Sequence, residues 1–199
     1  MNLKKKIRKI IRAIQLFFIK ERYNSKVFCI GFNKTGTTTI GKSLEILGYR
    51  NSSFNPKIWK LYKSGDIEKV LKYTAKFDSC DDLPWLKIEM IPILDKTFPN
   101  SKFIYLERDE DDWKKSYSEW TELKTSTKPD IEKAFLAFNN HKFFVKDYFK
   151  NRENDILILD VSDSKGFEKL ANFLNKKASQ DNFPHFNKTE EFRASITRK

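Results

Sequence analysis

Lys34 lies inside a glycine-bounded loop, with Thr35, Thr37, Thr38 and Thr39 around it. The stretch reads KVFCIGFNKTGTTTIGKSLEILG over residues 26–48. An ammonium, several hydroxyls and the glycine at position 36 suit one task, the holding of a phosphate-like anion. Backbone N–H groups at a helix start point at such a ligand, and the helix dipole adds positive potential. Later in the chain, FIYLERDEDDWKKSY carries Arg108 and, eight residues on, Ser116. A guanidinium with a hydroxyl nearby suits a phosphate dianion, because it donates in pairs. Without a phosphate, Arg108 has Asp109 or Asp112 as ion-pair partners, and the loop is a glycine-rich turn.

These groups need a strand, a turn and a helix to aim them. Val27–Ile30 is a short apolar run closed by Gly31, as a buried parallel strand would be. Ile40, Leu44 and Leu47 then recur at helical spacing. Two registers compete within the stretch. Gly31 to Gly36 gives G-x-x-x-x-G directly after the strand, with Thr37 where a nucleotide-triphosphate loop has its lysine. Gly36 to Ser43 spells GTTTIGKS, the letters of that motif, but without a strand before it. The first register has the required context.

Further strands are predicted at Ala75–Cys80, Lys102–Leu106 and Ile156–Asp160, and a polar connection at Asn51–Ser53. Helices are predicted at 56–62, 66–73, 85–97, 110–123, 129–150 and 165–176, with a short one at 189–195. Strands alternating with helices argue a three-layer α/β domain over residues 24–199, a mostly parallel sheet of about five strands covered on both faces. In such sheets ligands sit beyond the carboxyl ends of the strands, where the loop and Arg108 both fall.

The lysine inside the loop and the threonines after the glycine resemble the phosphosulfate-binding loop of the sulfotransferases. FNKTGTTT is similar to that loop at nearly every position, and FIYLERDEDDWKKSY is similar to the family's arginine–serine signature. The resemblance covers about residues 26–195. LILDVSDSKGFEKLANFLN and FPHFN look like the C-terminal part of a bacterial-type branch. The resemblance implies a P-loop-like fold and PAPS as sulfate donor, with PAP as product and no metal. Lys34, Thr35, Gly36, Thr37, Thr38 and Thr39 would bind its phosphosulfate end, with Thr37 and Thr38 on the 5'-phosphate. Arg108 and Ser116 would bind the 3'-phosphate. Lys34 would neutralise charge on the bridging oxygen as the bond to sulfur breaks.

Cytosolic members take the acceptor proton with a histidine in a His-Leu-Pro stretch. Asp82-Leu83-Pro84 occupies the like position, so the resemblance implies Asp82 as base, with Asp78 as fallback. Asp81 and Asp82 could also cap the predicted helix 85–97. His141 and His185 are the other titratable candidates, the first amid phenylalanines on a helix and the second in coil. The chain departs from the cytosolic pattern in three places. Asp81 replaces a lysine, Thr39 replaces an adenine-stacking aromatic, and no basic-glycine motif closes the chain, where Arg193 or Arg198 would substitute.

The 199 residues include 39 Lys and Arg against 27 Asp and Glu, a net charge of +12, which favours anionic partners. Residues 1–23 read as a basic amphipathic helix, with Ile7, Ile10, Ile11, Ile14 and Phe18 on one face. Such a helix lies in an anionic membrane interface or packs on the domain, and it is too short in apolar run to span a bilayer. A cytoplasmic protein, peripheral at the inner membrane face, is the matching location. The acceptor implied is a hydroxyl, on a glycan or lipid-linked sugar, with Trp59, Trp120, Phe138 and Tyr148 as candidate pocket walls from helices 56–73 and 128–150. Two alternatives stand beside this reading. One is a kinase or NTPase using GTTTIGKS and magnesium on the Ile156–Asp160 strand. The other is a non-enzymatic basic protein binding membrane. No nucleic-acid-binding signature is present. Cys29 and Cys80 read as buried hydrophobes in a reducing compartment, and two histidines without ligand spacing argue against a zinc site.

Overall fold

Every residue of Val27–Ile30 is apolar, so a strand made from them needs cover on both faces. The computed structural model, which describes residues 25–180 and 182–184, provides it. β1 (Val27–Cys29) is the centre of a five-stranded, all-parallel sheet. Across the sheet the order is β2 (Asn51–Ser52), β3 (Ser79–Asp81), β1, β4 (Lys102–Glu107) and β5 (Ile156–Asp160). Cys29 stands level with Asp81 on one side and Ile104 on the other.

Alternation along the strands divides the core in two. Val27, Cys29, Ile104 and Leu106 face α1 (Thr37–Ile46) and α7 (Gly166–Phe173), where Ile40, Leu44, Phe167 and Leu170 meet them. Phe28, Ile30, Phe103 and Tyr105 face α2 (Pro56–Lys63), α3 (Ile67–Thr74), α4 (Met90–Thr97) and α6 (Ile131–Tyr148). The Phe28 ring lies 5.5 Å from Phe103 and 5.9 Å from Phe98. Burial of each such ring contributes about 1.5–3 kcal/mol. α5 (Glu110–Thr125) follows β4 and completes the three-layer α/β arrangement expected from the sequence. Asn55, Asp66, Asp109 and Asp130 cap α2, α3, α5 and α6 through their side chains.

Three expectations are corrected. The strand predicted at Ala75–Cys80 begins only at Ser79, because α3 ends there in turns, with Lys76 and Phe77 donating to Tyr73 and Thr74 carbonyls. The polar connection at Asn51–Ser53 instead supplies the edge strand β2, whose Asn51 side chain accepts from Ser79 Oγ (2.8 Å). The helix predicted from residue 85 starts at Met90. Trp85 is buried with its indole N–H on Thr74 Oγ1 (2.8 Å), which ties the intervening turns to α3. Cys29 and Cys80 are free, fully buried and offset by one register step, so their side chains leave opposite faces of the sheet. Burial pushes both thiols up in pKa. Residues 1–24 and 185–199 lie outside the described residues, and with them the predicted basic helix, His185, Arg193, Arg198 and the helix at 189–195.

Candidate active site

Beyond β1, Ile30 N–H still donates to Ile104 O (2.8 Å), and the chain then turns away at Gly31. A Cβ at Gly31 would lie 2.8 Å from both Leu106 Cβ and Thr35 Oγ1, so the turn packs directly on β4. Thr35 is fully buried, and its hydroxyl and its N–H both donate to Phe32 O (2.7 and 3.2 Å). Its hydroxyl proton therefore clasps the loop instead of serving a ligand, which alters the role expected of Thr35. Lys34 takes φ 69° and Gly36 φ 105°, both left-handed. For lysine that conformation costs about 1–2 kcal/mol and must be held by its surroundings.

Gly36 opens α1 with no side-chain cap, and the first turn holds no acid. The first helical bond is Ile40 N–H to Gly36 O (3.2 Å). The N–H groups of Thr37, Thr38 and Thr39 thus have no helical acceptor, and they stand at the positive end of the helix dipole. Thr37 and Thr39 are buried, whereas the Thr38 side chain is half-exposed. A Cβ on Gly36 would meet Val161 Cγ1 at 2.8 Å, so only glycine fits between loop and β5 edge.

Two distant side chains brace this loop. Arg108, the residue after β4, donates from Nη1 to Lys34 O (2.6 Å). Trp113 on α5 donates from Nε1 to Asn33 O (2.8 Å). Phe32 anchors the same turn, with ring centroids 6.0 Å from Trp113, 5.9 Å from Phe138 and 5.3 Å from His141. The Lys34 ammonium lies 5.5 Å from the Trp120 ring centroid, and the Lys124 ammonium 4.5 Å from the same ring. Lys34 and Arg108 therefore share one end of the sheet. Ser116 is half-buried on α5, between the two tryptophans in sequence.

Asp82 stands just past the carboxyl end of β3, the strand beside β1, at φ 69°. It is half-buried, and its Oδ1 accepts from Leu83 N–H (2.7 Å). Neither Asp81 nor Asp82 caps α4, which begins at Met90. Asp81 is 1% exposed and accepts from Asn51 Nδ2 (2.6 Å) and Ser53 Oγ (2.8 Å) beneath α1. Asp78 is at the opposite, amino end of β3. It is paired with Arg50 at 2.9 and 3.0 Å, and the guanidinium holds its carboxyl below the usual range. The fallback base is therefore away from the loop. Two expected acceptor walls are instead engaged in packing and pairing within the protein. Phe138 is buried against Trp113 (4.5 Å), and Tyr148 donates to Asp95, which Arg152 also binds.

His141 is 4% exposed, and its Nε2 bonds Leu86 O (2.9 Å), so that nitrogen carries the proton. Nδ1 is buried without a hydrogen-bond partner. Burial lowers the pKa from the usual 6.5 to about 4, and the ring is neutral and structural at pH 7. The unfolded chain binds a proton below about pH 6.5 that the fold refuses until about pH 4. This contribution is thus complete above pH 6.5 and is lost as pH falls toward 4, by about 3 kcal/mol across the window. Urea unfolding at pH 7 and pH 4.5 should show the slope, and His141→Gln should flatten it. An unchanged slope would sink this assignment.

The second loop register does not survive folding. Gly41, Lys42 and Ser43 all lie inside α1. Lys42 is exposed and paired with Glu45 (2.7 Å), and the Ser43 hydroxyl donates to Thr39 O (2.7 Å). Asp160, the acid of the would-be magnesium strand, is on edge strand β5 and accepts from Ser162 N–H and Oγ. Among the described residues, no cluster of three or more His, Cys, Asp or Glu could hold a metal ion, and no helix is long and apolar enough to cross a membrane.

A family model described as a sulfotransferase domain matches residues 26–135 and 120–192. The chain belongs to the sulfotransferase family. Comparison with curated proteins finds no match. The matched segments of this sulfotransferase contain the loop, Asp82, Arg108, Ser116 and all five strands. Sequence reasoning found the sulfotransferase loop but missed what braces it. Trp113 and Trp120 recur two helical turns apart on one face of a predicted helix, and that spacing was the available signal.

Proposed function

We propose that this sulfotransferase moves a sulfuryl group from PAPS to an acceptor hydroxyl and releases PAP. The observation that carries the reading is the Arg108–Lys34 contact, which sets a second cation against the loop at the open N-terminus of α1. Two cationic groups and three N–H donors at one end of the sheet match a nucleotide with anionic groups at both ends of its ribose. In this reading Thr37 and Thr38 hold the 5'-phosphate and Arg108 and Ser116 the 3'-phosphate. The acceptor oxygen bonds to sulfur while the sulfur–oxygen bond to the 5'-phosphate breaks, and the electron pair leaves on that phosphate. Lys34 offsets the charge developing there, and Asp82 takes the acceptor proton. No step needs a metal.

The acceptor hydroxyl belongs to a glycan or lipid-linked sugar. Support comes from Trp120 beside the Lys34 ammonium, since a broad aromatic face stacks on a sugar ring. Trp59, stacked on Tyr62 with the Lys63 and Lys87 ammoniums nearby, offers a second aromatic face on α2. The basic residues 3–22 support peripheral contact with an anionic membrane surface.

Calorimetry with 3',5'-ADP in chelator, set against ATP with magnesium, tests the donor. Saturable binding of the first and none of the second is expected, and the reverse would restore the kinase reading. Asp82→Asn should then lower radiolabelled sulfate transfer by about 100-fold or more. Its 3',5'-ADP affinity should stay within about two-fold, because a base that faces the sulfur leaves the nucleotide alone.

A further inference from the structure

We infer that α5 positions Lys34, with Trp113 fixing the backbone on its N-terminal side and Trp120 holding its ammonium. This rests on Lys34 meeting the phosphosulfate, as proposed above. Trp113 Nε1–H bonds Asn33 O at 2.8 Å, and this carbonyl belongs to the peptide whose N–H is that of Lys34. In a trans peptide those two groups point in opposite directions. Tying the carbonyl to α5 therefore turns the Lys34 N–H away from α5. Arg108 fixes the next carbonyl, that of Lys34. Between two pinned peptides, Lys34 keeps its left-handed φ of 69°, which a lysine would not adopt unaided.

The ammonium is held separately. It lies 5.5 Å from the Trp120 ring centroid, within cation–π range. Trp120 follows Trp113 by two turns of α5, so one helix face reaches both the backbone and the side chain of one loop residue. Trp113 is itself immobilised. It is fully buried, stacked at 4.5 Å on Phe138 and 5.0 Å on Tyr117. A rigid indole transmits the position of α5 to the loop, whereas an exposed side chain would not. Both tryptophans act through Lys34 and are positioning residues.

The test is a double-mutant cycle read by calorimetry with PAPS, which needs no acceptor. Trp113→Phe keeps a ring in the stack and removes the N–H. It should weaken PAPS about five- to ten-fold, the scale of one lost hydrogen bond. Trp120→Leu, at a half-buried site with little risk to folding, should weaken PAPS about two- to five-fold. In a Lys34→Ala background Trp120→Leu should cost less than about two-fold, because the ammonium it holds is gone, and Trp113→Phe should cost less than it does in the unaltered protein, because only its hold on the backbone is left. A merely structural role would move melting temperature and leave the two backgrounds equal. Equal factors in both backgrounds, or no weakening by either replacement, would overturn the inference. If the unaltered protein binds neither PAPS nor 3',5'-ADP, the donor reading itself has failed, which is a separate result. If Trp113→Phe does not fold, the Trp120→Leu cycle decides.

Discussion

Arg108→Ala should lower affinity for 3',5'-ADP by about 100- to 1000-fold. Two losses combine. A guanidinium on a phosphate dianion is worth about 1.5–3 kcal/mol as a charged hydrogen-bonding partner. The bond from Arg108 Nη1 to Lys34 O adds about 1 kcal/mol of loop bracing. At 1.4 kcal/mol per decade the sum spans two to three decades. 5'-AMP, which lacks the 3'-phosphate, separates the two. Its affinity should fall only by the bracing share, about five-fold, while 3',5'-ADP loses the remainder as well. Arg108→Lys keeps a charge but not the planar fork, and should recover only part of the loss. Equal 3',5'-ADP affinity for the unaltered and alanine proteins would discredit the site.

Gly41→Ala should destabilise the fold markedly. In a helix interior alanine is ordinarily better than glycine by about 1 kcal/mol. Here the added Cβ would lie 2.2 Å from Asp81 Oδ2 and 2.8 Å from Asn51 Nδ2. Asp81 is buried and already bonded to Asn51 and Ser53, so it has nowhere to retreat. α1 is then strained against β3 and the carboxylate also loses a partner. Overpacking costs about 1–3 kcal/mol and a lost bond to a buried charge about 1.5–3. The net loss, near 2–4 kcal/mol, corresponds to a melting temperature lower by about 5–15 °C for a chain of this size. A thermal melt checks it, and an increase in melting temperature would refute the packing. Because α1 also presents the N–H groups of Thr37 to Thr39, donor affinity should fall in the same variant.

Much of the architecture could be read from pattern. β1, β4 and β5 are apolar runs at strand length, and the loop after β1 is marked by its glycines. The start of β3 could not be read, because Ala75 and Phe77 flank Lys76 in the alternation of a strand yet serve to finish α3. Nor could the start of α4, where Trp85 gives up helical continuation to reach Thr74. Lys34 and Arg108 were candidates from residue type and spacing and Asp82 from the family resemblance, and the fold puts all three just beyond the carboxyl ends of neighbouring strands. The bonds from Arg108 and Trp113 to the loop were not found. They join side chains to carbonyls 74 and 80 residues away, and such contacts leave no local period to detect. Thr35 shows the limit from the other side. It sits inside the motif, but burial assigns its hydroxyl to Phe32 O.

Both thiols of this chain are sealed within the sheet, and burial disfavours the thiolate that reacts with alkylating reagents. The native protein is in effect a blank background for maleimide chemistry. A cysteine introduced by Lys124→Cys, next to Trp120, would be the one reactive handle, and a dye attached there would report occupancy of the site without any need to know the acceptor.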